Sequence, residues 1–219
     1  MKTIKLFVAV MMMGAVLVSC DDSKKKAEEE KMKMEQMEAE KKMEAEKMAK
    51  EAEMKREEMA VMVGGAKMYP DMTIVENASK ANNLTTLVAA VKQAGLVETL
   101  NSDGPFTVFA PTDDAFNKVP EKNRMMLMED KNKEKLGSIL KYHVVSGKMT
   151  AADLKKMTME GKNMMTELTT INGQKLTVME KDGKLMVKDA MGKTANIIVA
   201  DVNQSNGVVH GVDTVLMPK

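Results

Sequence analysis

The apolar residues of this chain are arranged in three different ways. Leu6 to Val18 is a continuous apolar run of 13 residues, interrupted only by Gly14 and preceded by Lys2 and Lys5. Residues 24–60 hold no such run, and Met and Ala are dispersed among Lys and Glu. From Met68 onward the pattern first has a helical period and then alternates. Leu84, Leu87, Val88, Val91 and Leu96 recur near i, i+3, i+4 and i+7, so residues 73–100 read as helical. Phe106–Ala110 reads as a short strand, closed by Pro111. Thr112 with Asp113 and Asp114 reads as a helix start. Met125–Met128 and Leu136–Tyr142 read as further short helices.

The second half is β-rich. Its expected strands are 143–146, 167–171, 175–180, 184–188, 195–201 and 208–216. Asn172-Gly173, Asp182-Gly183 and Asn206-Gly207 separate them, each offering a glycine that can take positive φ. Helices first and strands later indicate an α+β domain over 69–219.

Charge explains the middle stretch. Residues 24–60 carry 11 positive side chains and 12 Glu, with no Gly, Pro or β-branched residue. All the residue types present favour helix. Glu29–Lys33, Glu38–Lys42, Glu46–Lys50 and Glu51–Lys55 are i,i+4 pairs in the better orientation, each worth about 0.3–0.5 kcal/mol. Met32, Met43 and Met54 are spaced by 11, as are Met37, Met48 and Met59. The two sets lie about 140° apart around a helix, so they form no single seam. A solvated single helix is therefore expected in preference to a coiled coil. Gly64-Gly65 is expected to break it, giving a stalk over 20–63 and a hinge over 64–68.

The apolar run at the start is too short for a bilayer span of about 20 residues and reads as a secretory signal. It ends in Leu17-Val18-Ser19-Cys20, which resembles a bacterial lipobox. The resemblance implies a signal peptide over 1–19 and a diacylglycerol thioether on Cys20, which anchors the protein to membrane lipid. Asp21 and Asp22 resemble both an inner-membrane retention signal and a surface-export signal. The outer membrane or cell surface is the favoured location.

Composition narrows the chemistry. The formal charge of +1 argues against a nucleic-acid partner. Two His and one Cys leave little for a metal site, and no metal or cofactor is expected. There is no Gly-x-Ser-x-Gly elbow and no Gly-rich phosphate loop, so no catalytic residue is assigned. The 26 Met stand against 4 Phe, 2 Tyr and no Trp. Met32-x-Met34-x-x-Met37 and Met125-Met126-x-Met128 offer thioethers to Cu(I), a minor reading beside Met as flexible apolar filler.

Three ordered boxes carry a family resemblance. Thr107-Val-Phe-Ala-Pro-Thr-Asp-Asp-Ala-Phe116, Tyr142-His143-Val144-Val145 and Asn206-Gly-Val-Val-His-Gly-Val-Asp213 resemble the motifs of fasciclin (FAS1) domains. The resemblance implies a β-sandwich-like core of about seven strands flanked by short helices. It implies adhesion or matrix binding through a protein or glycan, with no shared catalytic activity. The alternative is an envelope accessory protein that binds a membrane protein partner. Thr107, Phe109, Pro111, Thr112, Asp113, Phe116, Tyr142, His143, Asn206, Gly207, His210 and Asp213 are the motif residues, expected to be mainly structural. The Tyr-His box is linked to integrin binding in some animal relatives. Beside apolar Val144-Val145, His143 reads more simply as a buried ring that holds a turn. His210 and Asp213 fall on opposite faces of a regular strand, which argues against an acid–base pair. Gly211 stands where the family more often has an apolar residue, and is expected to mark a bulge.

Overall fold

The computed structural model describes residues 22–219. Helix α1 spans Asp22–Glu58, and two units divide the chain after Ala52. The described residues of the first unit, 22–52, are helix, with side chains exposed from Glu29 to Ala52. Of the expected i,i+4 pairs, Glu46–Lys50 closes at 3.0 Å. No helix among the described residues is long and apolar enough to cross a membrane.

The second unit, Glu53–Lys219, opens with the last turn of α1 and a hairpin of β1 (Val61–Val63) and β2 (Ala66–Met68). Gly64-Gly65 is expected from sequence to break the helix, but α1 has already ended at Glu58. The two glycines form the hairpin turn, with φ of 56° and 78°. That left-handed pair matches the twist of a two-residue hairpin. Arg56 pairs with Asp71 at 2.7 Å and lies 3.9 Å over the Tyr69 ring. Glu57 accepts from the Tyr69 hydroxyl at 2.6 Å and pairs with Lys67. These contacts bind the end of α1 to the hairpin.

Residues 73–100, read as helical, form three helices: α2 (Ile74–Ala78), α3 (Thr85–Ala94) and α4 (Val97–Asn101). Then come β3 (Phe106–Pro111), α5 (Asp113–Asn117), α6 (Glu121–Leu127), α7 (Lys133–Tyr142) and β4 (Val144–Ser146). Helix α8 (Ala151–Glu160) buries only Leu154 and Thr158, so the sequence carries little apolar period for it. A Thr150/Asp153 capping box starts it. The chain closes with β5 (Met165–Thr169), β6 (Lys175–Lys181), β7 (Lys184–Lys188), β8 (Thr194–Gln204) and β9 (Gly207–Val212).

β3 to β9 form one sheet in the order β4-β3-β9-β8-β7-β6-β5. All neighbours are antiparallel except β3 and β9, which run parallel. A bridge from Val145 to Thr170 joins the two edges. The sheet is thus a near-barrel, and two cores follow from it. Every strand contributes to the inner core, including Phe109, Val145, Leu168, Val178, Val187, Ala195 and Val212. The outer core lies between α2, α3, α4 and α7 and the opposite face of β3, β4, β8 and β9. Alternation decides which residue goes where: Val108 and Ala110 face the helices, and Phe109 faces inward.

Candidate functional site

The motif residues lie at the end of α7 and along the parallel pair β3 and β9, from Asn206 at one end to Asp113 and Asp213 at the other. His143 is not the first residue of a strand, as the sequence suggested, but the residue that ends α7. Its Nδ1 lies 2.8 Å from the Ile139 carbonyl, and its Nε2 accepts from the Leu216 amide at 3.0 Å. An acceptor at Nε2 leaves the proton on Nδ1, so the ring is neutral. Burial pushes its pKa down to about 4. The neighbouring Tyr142 is also buried. Its hydroxyl donates to the Lys175 carbonyl at 2.8 Å and accepts from the Ala190 amide at 2.9 Å. Burial raises its pKa.

His210 repeats this arrangement on β9. Its Nδ1 accepts from the Asp201 amide at 3.3 Å, and its Nε2 lies 2.9 Å from the Met149 carbonyl. Phe109 stacks on the ring at 5.8 Å between centroids. Burial lowers the His210 pKa below its ordinary value. The Thr107 hydroxyl donates to the Gly147 carbonyl at 2.6 Å and accepts from the Met149 amide at 2.9 Å. Both motif histidines are therefore neutral rings with both nitrogens engaged by backbone.

The motif carboxylates are committed to backbone as well. Thr112 caps α5 by accepting from the Ala115 amide at 3.3 Å. Asp113 follows it, yet its carboxylate does not serve α5, the helix it begins. It accepts from the Thr85 amide and hydroxyl at 3.2 and 2.8 Å and from the Thr86 amide at 2.8 Å. Helix α3 has no capping side chain of its own, because Leu84 occupies that position. Asp113 supplies the cap from another helix. Burial acts to raise the Asp113 pKa, but the hydrogen bonds from Thr86 and Thr85 outweigh it and hold the carboxyl low. Asp213 accepts from the Asn196 amide at 2.8 Å and side chain at 2.9 Å, with Lys118 at 3.5 Å. Here too the hydrogen bonds overcome burial and lower the pKa. His210 and Asp213 serve separate partners. Phe116 packs between α5, α6 and α7.

Asn206 ties separate segments together. Its Oδ1 accepts from the Ile74 amide at 3.1 Å. Its Nδ2 donates to the Leu100 carbonyl at 2.7 Å and the Ser102 carbonyl at 3.1 Å. One side chain thus ties the start of α2, the end of α4 and the β8–β9 turn. Gly207 is not there for positive φ, as the X-Gly spacing suggested. A Cβ at this position would strike the Phe106 carbonyl, so glycine allows the parallel β3–β9 approach. Pro111 ends that pairing opposite Val212. The irregularity expected at Gly211 lies in the partner strand. The β8–β9 register shifts on either side of Val199, which opposes Gly211.

Sequence reasoning missed Asn77. Its Oδ1 accepts from the Tyr69 amide at 3.0 Å, and its Nδ2 donates to the Tyr69 carbonyl at 2.7 Å and to Gln204. Asn77 is fully buried, and a single Asn between Glu76 and Ala78 carries no signal of that in the sequence. Cys20 lies outside the described residues. Met32, Met34 and Met37 are exposed on α1. Met34 lies about 200° around from Met32, so the three thioethers do not converge. Among the described residues, no group of three or more His, Cys, Asp or Glu could hold a metal ion.

Comparison with known proteins agrees with this geometry. The model of the Fasciclin domain matches residues 82–218. Protein sll1483 of Synechocystis sp. is 47% identical over 147 residues, covering 67% of this chain and 74% of its own. Cell surface glycolipoprotein MPB83 of Mycobacterium bovis is 33% identical over 158 residues, covering 71% of this chain and 64% of its own. The solved FAS1 domain pair from the insect cell adhesion molecule Fasciclin I superposes with a TM-score of 0.61 at 22% identity. That match covers 68% of this chain and 52% of the insect one. With its boxes in order, its near-barrel sheet and a family match over most of its length, this chain belongs to the fasciclin domain family.

Proposed function

We propose that this protein is a lipid-anchored envelope protein whose fasciclin domain mediates adhesion or matrix contact. One observation carries the reading. The polar motif groups are engaged by the fold itself, so binding falls to the domain's surface. Three features support the cellular setting. The Leu17–Cys20 box would supply acyl chains on Cys20, and two chains suffice for stable anchoring. The exposed Lys/Glu helix would act as a spacer of about 1.5 Å per residue. A relative bears the name cell surface glycolipoprotein, and the outer membrane or cell surface is the proposed location. The binding partner would be a protein or glycan outside the cell.

Deleting residues 69–219 should reduce attachment of the cells that make the protein, while the lipidated stalk stays in the membrane. Attachment unchanged across several surfaces and salt concentrations would refute adhesion. A single stoichiometric membrane protein recovered by crosslinking would replace adhesion with an accessory role in the envelope.

A further inference from the structure

The outer core is incompletely filled. A cavity of about 50 Å³ lies beneath α2, α3 and α4, against β3, β4 and β9. Leu87, Val91, Leu100 and Val108 are among its walls. Its volume exceeds the roughly 10–15 Å³ that one water occupies, but water also needs polar partners. The polar Gln204 in the wall is already engaged, accepting from Asn77 and donating to the Val202 carbonyl at 3.3 Å. An apolar cavity of this kind stays dry and takes apolar guests.

The rim adds a charge. Lys92 at the end of α3 and Lys141 near the end of α7 both contribute to the wall, and both are exposed. Long lysine stems cover apolar surface while their ammonium groups stay in water. No Asp or Glu lines this cavity. Neither lysine takes part in the ion pairs formed among the described residues. An apolar slot with two lysines in its lining and no Asp or Glu complements one kind of molecule, an apolar chain ending in a carboxylate.

We infer that the cavity under α2–α4 is a binding site for a free fatty acid. The end of the chain fills the slot, the remaining methylenes lie in its open mouth, and the carboxylate meets Lys92 and Lys141. The rim lysines select the free acid over an esterified acyl chain, which carries no charge at that point. The inference stands whether or not the domain binds a matrix.

The test uses the full chain carrying Cys20→Ser, so that no attached acyl group competes. Binding of decanoate, methyl decanoate and acetate is measured by calorimetry at low salt. Decanoate should bind at about one equivalent, methyl decanoate about fivefold to tenfold more weakly, and acetate not at all. Ala78→Leu, which adds side-chain volume in the wall, should weaken decanoate at least about tenfold with circular dichroism unchanged. Lys92→Gln with Lys141→Gln, both at exposed positions, should bring decanoate down to the level of the ester. The inference is overturned if decanoate fails to bind at one equivalent. It is also overturned if the ester binds as tightly as the acid, or if the double lysine variant keeps the preference for the acid. Should Ala78→Leu unfold the domain, the lysine variant and the ester comparison decide alone.

Discussion

Asn206 shows how much of this fold rests on single polar side chains. Removing it leaves the Ile74 amide and the Leu100 carbonyl without their partner in a buried place, and the Ser102 carbonyl in a half-buried one. Each such orphan costs about 1–3 kcal/mol before water relieves it. Asn206→Ala should therefore lower unfolding free energy by about 2–4 kcal/mol, read from urea denaturation. His143 makes a second prediction at this scale. Its folded pKa of about 4 lies below its ordinary 6.5. The unfolded chain then binds the proton more readily, so stability is full above pH 6.5 and falls as pH drops toward 4. The full loss is about 3 kcal/mol at 1.36 kcal/mol per unit. Burial of His210 acts in the same direction. A His143→Gln variant should show a flatter stability profile between pH 6.5 and 4, and an unchanged slope would contradict this account. The role of His143 as a buried ring held to backbone was legible in the sequence, but that of Asn206 as a tie was not. The Asn206 partners lie more than 100 positions away, and no local pattern encodes them.

At the scale of elements, α3 depends on a carboxylate from outside it. Asp113→Ala should cost about 1–2 kcal/mol, the range of a lost N-cap. Hydrogen exchange should speed up first at the Thr85 and Thr86 amides that the carboxylate holds. Faster exchange confined to α5 would mean that Asp113 serves its own helix. Strands β6 and β7 were legible because half-buried strands alternate and because Asp182-Gly183 takes left-handed φ at 51° and 75°, whereas β9 is buried along its whole length. The β1–β2 hairpin was not, since three-residue strands carry too little alternation to register. The break between α2 and α3 was also hidden, because apolar spacing continues across it. What fixes α2 is its Thr73/Glu76 capping box, a signal of four residues inside a longer period.

The whole molecule combines a signal-like N-terminus, an exposed charged helix and a fasciclin domain. The domain was legible because its three boxes sit at the places where strands and helices must lock together. The cavity was not, because it is a shortfall in packing between elements distant in sequence. The Arg56–Asp71 and Glu57–Lys67 pairs are exposed, so high salt should loosen the hairpin from the end of α1 with little loss of domain stability.

The central claim is that Cys20 anchors an externally facing fasciclin domain, and one measurement meets it directly. Intact cells that make either the natural protein or its Cys20→Ser variant are treated with protease, and the domain is followed with an antibody. The natural protein should fractionate with membranes and lose its domain to protease, while the Cys20→Ser form leaves the membrane fraction. A domain protected in intact cells, or a Cys20→Ser form that stays membrane-bound, would contradict the account.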